Sequence, residues 1–154
     1  MDEFGSSRKK GREPPSLSLS PDKTDMSRNA TIKKKKVLVV EDDAAYANVY
    51  QRKLTKEGYE VVIEPNGEHV VRAVEREKPD LILLDLVLPG KNGFIVLQEL
   101  RSRKEFDRIR IIIASNLGQD VDIEKAKSAG ADDYFIKSNI SVSEMIDRVK
   151  KVLA

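Results

Sequence analysis

Five short apolar runs recur along the chain, each followed by a segment of helical character, and this alternation constrains the fold more than any other feature. The runs are "KVLVV" (36–40), "YEVVI" (59–63), "DLILL" (80–84), "RIIIA" (110–114) and "DYFI" (133–136). "KVLVV" and "DLILL" are apolar without alternation, as strands covered on both faces of a parallel sheet are. Between the runs, Ala44 to about Lys56 reads as helix and Gly58 stops it. Asn66 caps a helix running to about Lys78, before Pro79, and Asn92 caps one carrying Ile95, Val96 and Leu100. A fourth helix, about Val121 to Ala129, ends at Gly130, which suits a left-handed C-terminal cap. The last opens on "SVSE", where Ser141 and Glu144 have capping-box spacing. Strict strand–helix alternation implies right-handed crossovers and an α/β fold, a doubly wound five-stranded parallel sheet. Ligands of such sheets bind outside the carboxyl ends of the strands.

Composition narrows the chemistry. The 154 residues include no cysteine, so disulfides, thiol catalysis and thiolate metal sites are excluded. Every apolar run falls far short of the ~20 residues that a membrane-spanning helix needs. The basic N-terminus is not followed by the apolar stretch of a secretory signal. A soluble cytoplasmic protein is expected. Charge is uneven: residues 1–36 carry ten Lys or Arg against five Asp or Glu, and the remainder eighteen against twenty-one. Residues 1–35, serine-rich and holding Pro14, Pro15 and Pro21, bury too little apolar surface to offset ordering and read as a disordered basic tail. Residues 36–154 form the folded domain. Lys33, Lys34, Lys35 and Lys36 read as a solvated flank, with weak contact to an anionic surface as the alternative.

The carboxyl ends of the strands collect unlike groups. The first delivers Glu41, Asp42 and Asp43, the third Asp85, the fourth Ser115 and Asn116, and the fifth Lys137. Carboxylates ~4 Å apart repel by about 4 kcal/mol at an effective dielectric near 20, so the group calls for a cation. Hard oxygens without His or Cys suit Mg2+. Lys137 adds positive charge, and a hydroxyl such as that of Ser115 can hydrogen-bond a phosphoryl oxygen. Such a set would stabilise a phosphoryl group transferring to a carboxylate, a reaction carried by positioning and charge neutralisation.

From "VVEDD", "LLDLVLPG", the Ser115 position and "DYFIKS" onward, the chain resembles the CheY-like receiver domain of two-component response regulators over residues 36–154. The resemblance implies the flavodoxin-like (βα)5 strand order 2-1-3-4-5. It implies Asp85 as phospho-acceptor and Mg2+ held by Glu41, Asp42, Asp85 and the Val87 backbone carbonyl, with Asp42 the more direct ligand and Asp43 a helix cap. Ser115 and Lys137 would bind the phosphoryl group, and Tyr134 would be the aromatic that moves with the switch. The chain departs from the family in two places. Ser138 stands where proline usually follows the lysine, and Asn116 stands where a small residue is common. Asn116 either narrows the space for Tyr134 or adds a hydrogen bond to the phosphoryl group. Val87 and Leu117 occupy positions that flank the path of hydrolytic water in the family. Both are apolar, so a long-lived phospho-form is expected.

The implied function is that of a single-domain response regulator. Asp85 is phosphorylated by a sensor histidine kinase, a phosphotransfer protein or a small phosphodonor, and acts as a signalling group, not as an enzyme's nucleophile. The sequence ends at Ala154, directly after the last helix, so output is expected through a separate protein target or relay, without a DNA-binding domain. A phosphorylation-independent adaptor using the basic tail is the alternative. A haloacid-dehalogenase-type phosphatase would need a second aspartate where Val87 stands. A flavodoxin-like electron carrier is disfavoured because acidic residues at the first strand end would repel a flavin phosphate. His69 reads as an ordinary helical residue, Tyr46 and Tyr50 as packing, and "RSRKEFDRIR" (101–110) as a solvated face.

Overall fold

The computed structural model describes residues 33–154. The expected disorder of residues 1–32 lies outside them. Lys33 to Lys35 are exposed and without regular structure. Lys36 already belongs to the fold: its ammonium lies 3.2 Å from Glu77 and 3.5 Å from Glu60. The basic run therefore loses its last member to the folded surface.

The five strands are β1 (Lys36–Val40), β2 (Glu60–Glu64), β3 (Leu81–Leu84), β4 (Arg110–Ser115) and β5 (Asp133–Ile136). All pair in parallel in the order 2-1-3-4-5, as expected. The helices are α1 (Ala44–Lys56), α2 (Val70–Glu77), α3 (Gly93–Arg101), α4 (Asp120–Ser128) and α5 (Val142–Leu153). Side chains alternate across the sheet, which divides the core in two. Leu38, Val40, Ile82, Leu84, Ile111 and Ile113 face Val70, Val74, Val96, Leu97 and Leu100 of α2 and α3, with Ala126 of α4. Val37, Val39, Leu81, Leu83 and Ile112 face Tyr50 and Leu54 of α1 and Met145 and Val149 of α5. β3, central in the sheet, is buried along its whole length.

The predicted caps set the helix starts. Asp43 accepts from the Ala45 N–H at 2.9 Å, and Asn92 from the Phe94 N–H at 2.7 Å. Ser141 and Glu144 form the reciprocal capping box. Gly130 closes α4 at φ +109°, the left-handed conformation expected of it. Asn66 caps differently from expectation. It starts a 3-10 turn over Gly67–His69, and the α-helix begins only at Val70. The turn braces the loop after β3, since the Gly67 N–H donates to the Pro89 carbonyl at 3.0 Å. His69 thus sits in a turn, with Nδ1 3.6 Å from Glu64.

The run 101–110 is not a uniformly solvated face. Arg101 is largely buried and donates to the carbonyls of Gly130 and Phe106 and to Asp132, tying the end of α3 to the turn before β5. Arg103 pairs with Glu75 and Glu105 at the surface.

One close approach fixes the loop that carries Asp85. The Gly93 N–H donates to the Leu86 carbonyl at 2.9 Å. A Cβ at Gly93 would collide with the Asp85 carbonyl oxygen and reach 2.6 Å from the Leu86 Cα. Both are backbone atoms that cannot rotate away. Gly93→Ala is therefore expected to lower unfolding stability by at least about 2 kcal/mol, read as a reduced urea midpoint at unchanged slope. A midpoint equal to wild type would show that this loop is free to shift.

Candidate functional site

Charged groups are buried at the carboxyl edge of the sheet. Glu41 follows β1 and Asp85 follows β3, and they are 3% and 5% exposed. Lys137 leaves β5 in a 3-10 turn over Lys137–Asn139 and is 7% exposed. Its ammonium lies 2.6 Å from Glu41 Oε1 and 3.0 Å from Asp85 Oδ2. The remaining oxygens are also engaged: Glu41 Oε2 accepts from the Asp43 N–H at 3.1 Å, and Asp85 Oδ1 from the Val87 N–H at 3.2 Å. Asp42 is exposed beside them, and carboxylate oxygens of Glu41, Asp42 and Asp85 lie within 4.8 Å of one another. These three could hold a hard cation.

Burial and the neighbouring Asp85 charge push the Glu41 carboxyl up to about 7, against the opposing pull of Lys137 and the Asp43 N–H. For Lys137, burial alone would lower the pKa. The hydrogen bonds and charges of Glu41 and Asp85 outweigh it, so the ammonium is held above its ordinary value and stays charged.

Tyr46, read from sequence as packing, has a place here. The Lys137 ammonium lies 4.4 Å from the centre of its ring, a cation–π distance. Tyr50 packs in the core, its ring tilted against that of Tyr46. No short-range signal announces the Tyr46 contact, because Lys137 is 91 residues away in the sequence.

On the other side of Asp85, Ser115 is fully buried at the end of β4. Its Oγ accepts from the Leu117 N–H at 3.3 Å. Tyr134 is buried in β5, and its hydroxyl donates to the Leu117 carbonyl. Burial, together with the charges of Asp122 and Asp85, holds the Tyr134 phenol above its ordinary range, so it remains a donor at neutral pH. The Leu117 peptide thus joins Ser115 to Tyr134. The Asn116 carboxamide oxygen accepts from the Ser138 N–H at 3.0 Å, a partner that neither expectation for Asn116 included. Val87 and Leu117 are exposed, at 61% and 37%.

Residues 37–150 match the response regulator receiver domain family. The chain belongs to that family. It is 39% identical over 120 residues to the "Probable transcriptional regulator ycf27" of Pyropia yezoensis, covering 78% of this chain and 48% of that protein. The protein of the same name from Cyanophora paradoxa is 38% identical over 122 residues, covering 79% and 49%. The chain spans about half the length of these curated relatives. Among solved structures, the BeF3-activated N-terminal receiver domain of RstA from Klebsiella pneumoniae matches with a TM-score of 0.72 and 32% identity, covering 77% of this chain and 98% of that one. The Vibrio cholerae chemotaxis protein CheY4, at 21% identity, shares the fold with a TM-score of 0.73, over 79% of this chain and 100% of that one. The chain is therefore a receiver domain, a signalling domain of two-component systems. No helix of the described residues is long and apolar enough to cross a membrane.

The raised Glu41 carboxyl makes stability depend on pH. Its folded pKa, about 7, lies above the unfolded value, so the native state holds the proton more tightly. The resulting stability is complete below the unfolded pKa and is lost as pH rises through about 7. In metal-free buffer, unfolding free energy is expected to fall by on the order of 2 kcal/mol between pH 5 and 8 relative to Glu41→Gln. Denaturation of both proteins across that range tests this, and parallel pH profiles would refute it.

Proposed function

We propose that Asp85 accepts a phosphoryl group from a sensor histidine kinase, a phosphotransfer protein or a small phosphodonor in a Mg2+-dependent reaction. The modified domain then signals through a conformational switch to a protein partner or relay. One observation carries the reading: three clustered carboxylates face a single buried ammonium. Fully ionised, the set is two charges short of neutral, a deficit that one divalent cation offsets.

The donors fit Mg2+, being hard oxygens only. Asp42 and Asp85 would hold it with the Val87 carbonyl. Glu41, whose oxygens already accept from Lys137 and the Asp43 N–H, would act through bound water. When bound, the ion neutralises charge on the carboxylates and on phosphoryl oxygens. The chain's own groups do the rest. A carboxylate oxygen of Asp85 attacks phosphorus while the bond to the donor imidazole nitrogen or acyl oxygen breaks, and the leaving group keeps the electron pair. The product is an acyl phosphate. The Val87 N–H and the Lys137 ammonium orient the Asp85 carboxylate before the reaction, and Lys137 remains to pair with the phosphoryl charge afterwards.

The switch follows from the Leu117 peptide. A phosphoryl oxygen attracts the Ser115 hydroxyl as a charge-assisted partner, roughly twice as strong as the neutral bond to the Leu117 N–H. Movement of Ser115 displaces Leu117, whose carbonyl holds the Tyr134 hydroxyl. The new charge thereby reaches β5 and the adjoining α4 surface and shifts an equilibrium between two loop arrangements.

Intact mass after incubation with acetyl phosphate tests the acceptor. A gain of one phosphoryl group is expected with Mg2+, lost on chelation and absent in Asp85→Asn; a gain that survives the substitution would refute Asp85. Lifetime gives a second test. Val87 and Leu117 are apolar and exposed, so neither side chain could orient water for hydrolysis. Combined Val87→Asn and Leu117→Glu is expected to speed loss of the phosphoryl group about tenfold, equivalent to 1.4 kcal/mol of barrier. Unchanged decay would remove these residues from control of the lifetime.

A further inference from the structure

The turn that carries Lys137 is capped from the loop after β4. In a 3-10 turn the first N–H groups lack partners within the turn, and a side chain at the N-cap normally supplies one. Here the N-cap is Ile136, which has no acceptor and makes no side-chain capping bond. The Ser138 N–H instead donates to Asn116 Oδ1 at 3.0 Å. The β4–β5 ladder ends with Ser115 opposite Ile136, so the carboxamide continues the connection from one residue past Ser115 to two past Ile136. It joins the residue after Ser115 to the residue after Lys137. The lysine side chain has many rotamers to lose. It can keep both of its contacts, 2.6 Å to Glu41 and 3.0 Å to Asp85, only if its backbone leaves β5 in a fixed direction.

We propose that Asn116 is a positioning residue for phosphoryl transfer: by capping the Ser138 N–H it fixes the turn from which Lys137 reaches Asp85. The inference rests on the reading of Asp85 as acceptor. It assigns Asn116 no contact with the phosphoryl group. The departure from proline after the lysine gains a purpose, because proline would lack the N–H that donates to the carboxamide.

The test uses the whole chain, wild type, Asn116→Ala and Asn116→Asp, with two readouts. Amide hydrogen exchange at Ser138, followed by NMR on the unphosphorylated protein, reports the bond itself. Protection is expected to be lost in Asn116→Ala and retained in Asn116→Asp, which keeps an acceptor oxygen. Phosphorylation by acetyl phosphate with Mg2+ reports the role. In Asn116→Ala the rate at saturating donor is expected to fall about tenfold with the half-saturating concentration unchanged. In Asn116→Asp the saturating rate is kept, while the added charge raises the donor concentration required. A merely structural residue would not divide rate from half-saturation in this way. Unchanged Ser138 exchange in Asn116→Ala, or a wild-type saturating rate despite lost protection, overturns the proposal and leaves the acceptor reading intact. Failure of the wild type itself to gain a phosphoryl group overturns both.

Discussion

The ammonium of Lys137, held between Glu41 and Asp85, is the interaction on which the rest of the site depends. Removing one partner of a buried ion pair costs about 3–5 kcal/mol, because the other charge is left without water or counter-ion. Two carboxylates rely on this one group. Lys137 follows β5, whereas its partners follow β1 and β3, with β4 lying between β5 and β3. The side chain must therefore cross the end of β4 to reach them. That crossing imposes conditions on its surroundings. The turn at Lys137–Asn139 sets the direction of departure, the Asn116 carboxamide holds that turn, and the Tyr46 ring covers the ammonium. The ammonium still falls short of the full carboxylate charge. Protonation of Glu41 would offset one of the two missing charges and a divalent cation would offset both, so the site is expected to respond to pH and to metal.

Apolar burial makes such a charge cluster tolerable. Each of the four β3 residues is fully buried, and a side chain of that kind contributes ~1.5–3 kcal/mol. β1 is nearly as dry. The strands that end in carboxylates are thus firmly held, so the charges sit on a rigid platform. The parts able to move are joined more weakly. Single neutral hydrogen bonds connect Leu117 to Ser115 and to Tyr134, and a bond of that kind is worth ~0.5–1.5 kcal/mol net. Hydrogen bonds to a charged phosphoryl group are worth ~1.5–3 kcal/mol, enough to reverse them. A new charge at Asp85 would therefore rearrange the loop after β4 without disturbing the sheet.

The sequence made the architecture legible because fold and caps are written in short-range patterns. "LILL" and "KVLVV" signal strands dry on both sides, and Asp43, Asn92 and the Ser141–Glu144 pair announce where helices begin. That Glu41, Asp42, Asp85 and Lys137 would meet was also legible, since residues after successive parallel strands must share one edge. The site's inner contacts were not. Tyr46 on Lys137, Asn116 on Ser138 and Arg101 on Gly130 each join residues far apart in the chain. Which of many polar or aromatic neighbours meets which is decided by rotamers and loop paths, and spacing carries no trace of these. The delayed start of α2 has a similar cause. Asn66 is an equally good cap for a 3-10 turn or an α-helix, and the bond from Gly67 to Pro89 in a neighbouring loop favours the turn.

The carboxyl edge of the sheet also inverts the usual distribution of residues. Charged side chains are rarely buried unless paired, yet the buried charged side chains of the described residues, Glu41, Asp85 and Lys137, all lie here. Among the described residues, the large apolar side chains left exposed are Val87, Ile95, Leu117 and Val121. Two lie in the loops after β3 and β4, and the others in the first turns of α3 and α4, at the same edge. Folding alone explains neither group, since a stable sheet would place the charges outside and the apolar side chains inside. Together they suit the proposed phosphoryl-transfer site: charge is gathered where water is scarce, and the exposed Val87 and Leu117 side chains after β3 and β4 carry no group that could direct water. On the proposed function, the first property would favour forming an acyl phosphate and the second would slow its hydrolysis. On that reading, the lifetime of the signal would depend on different residues from those that carry out its chemistry.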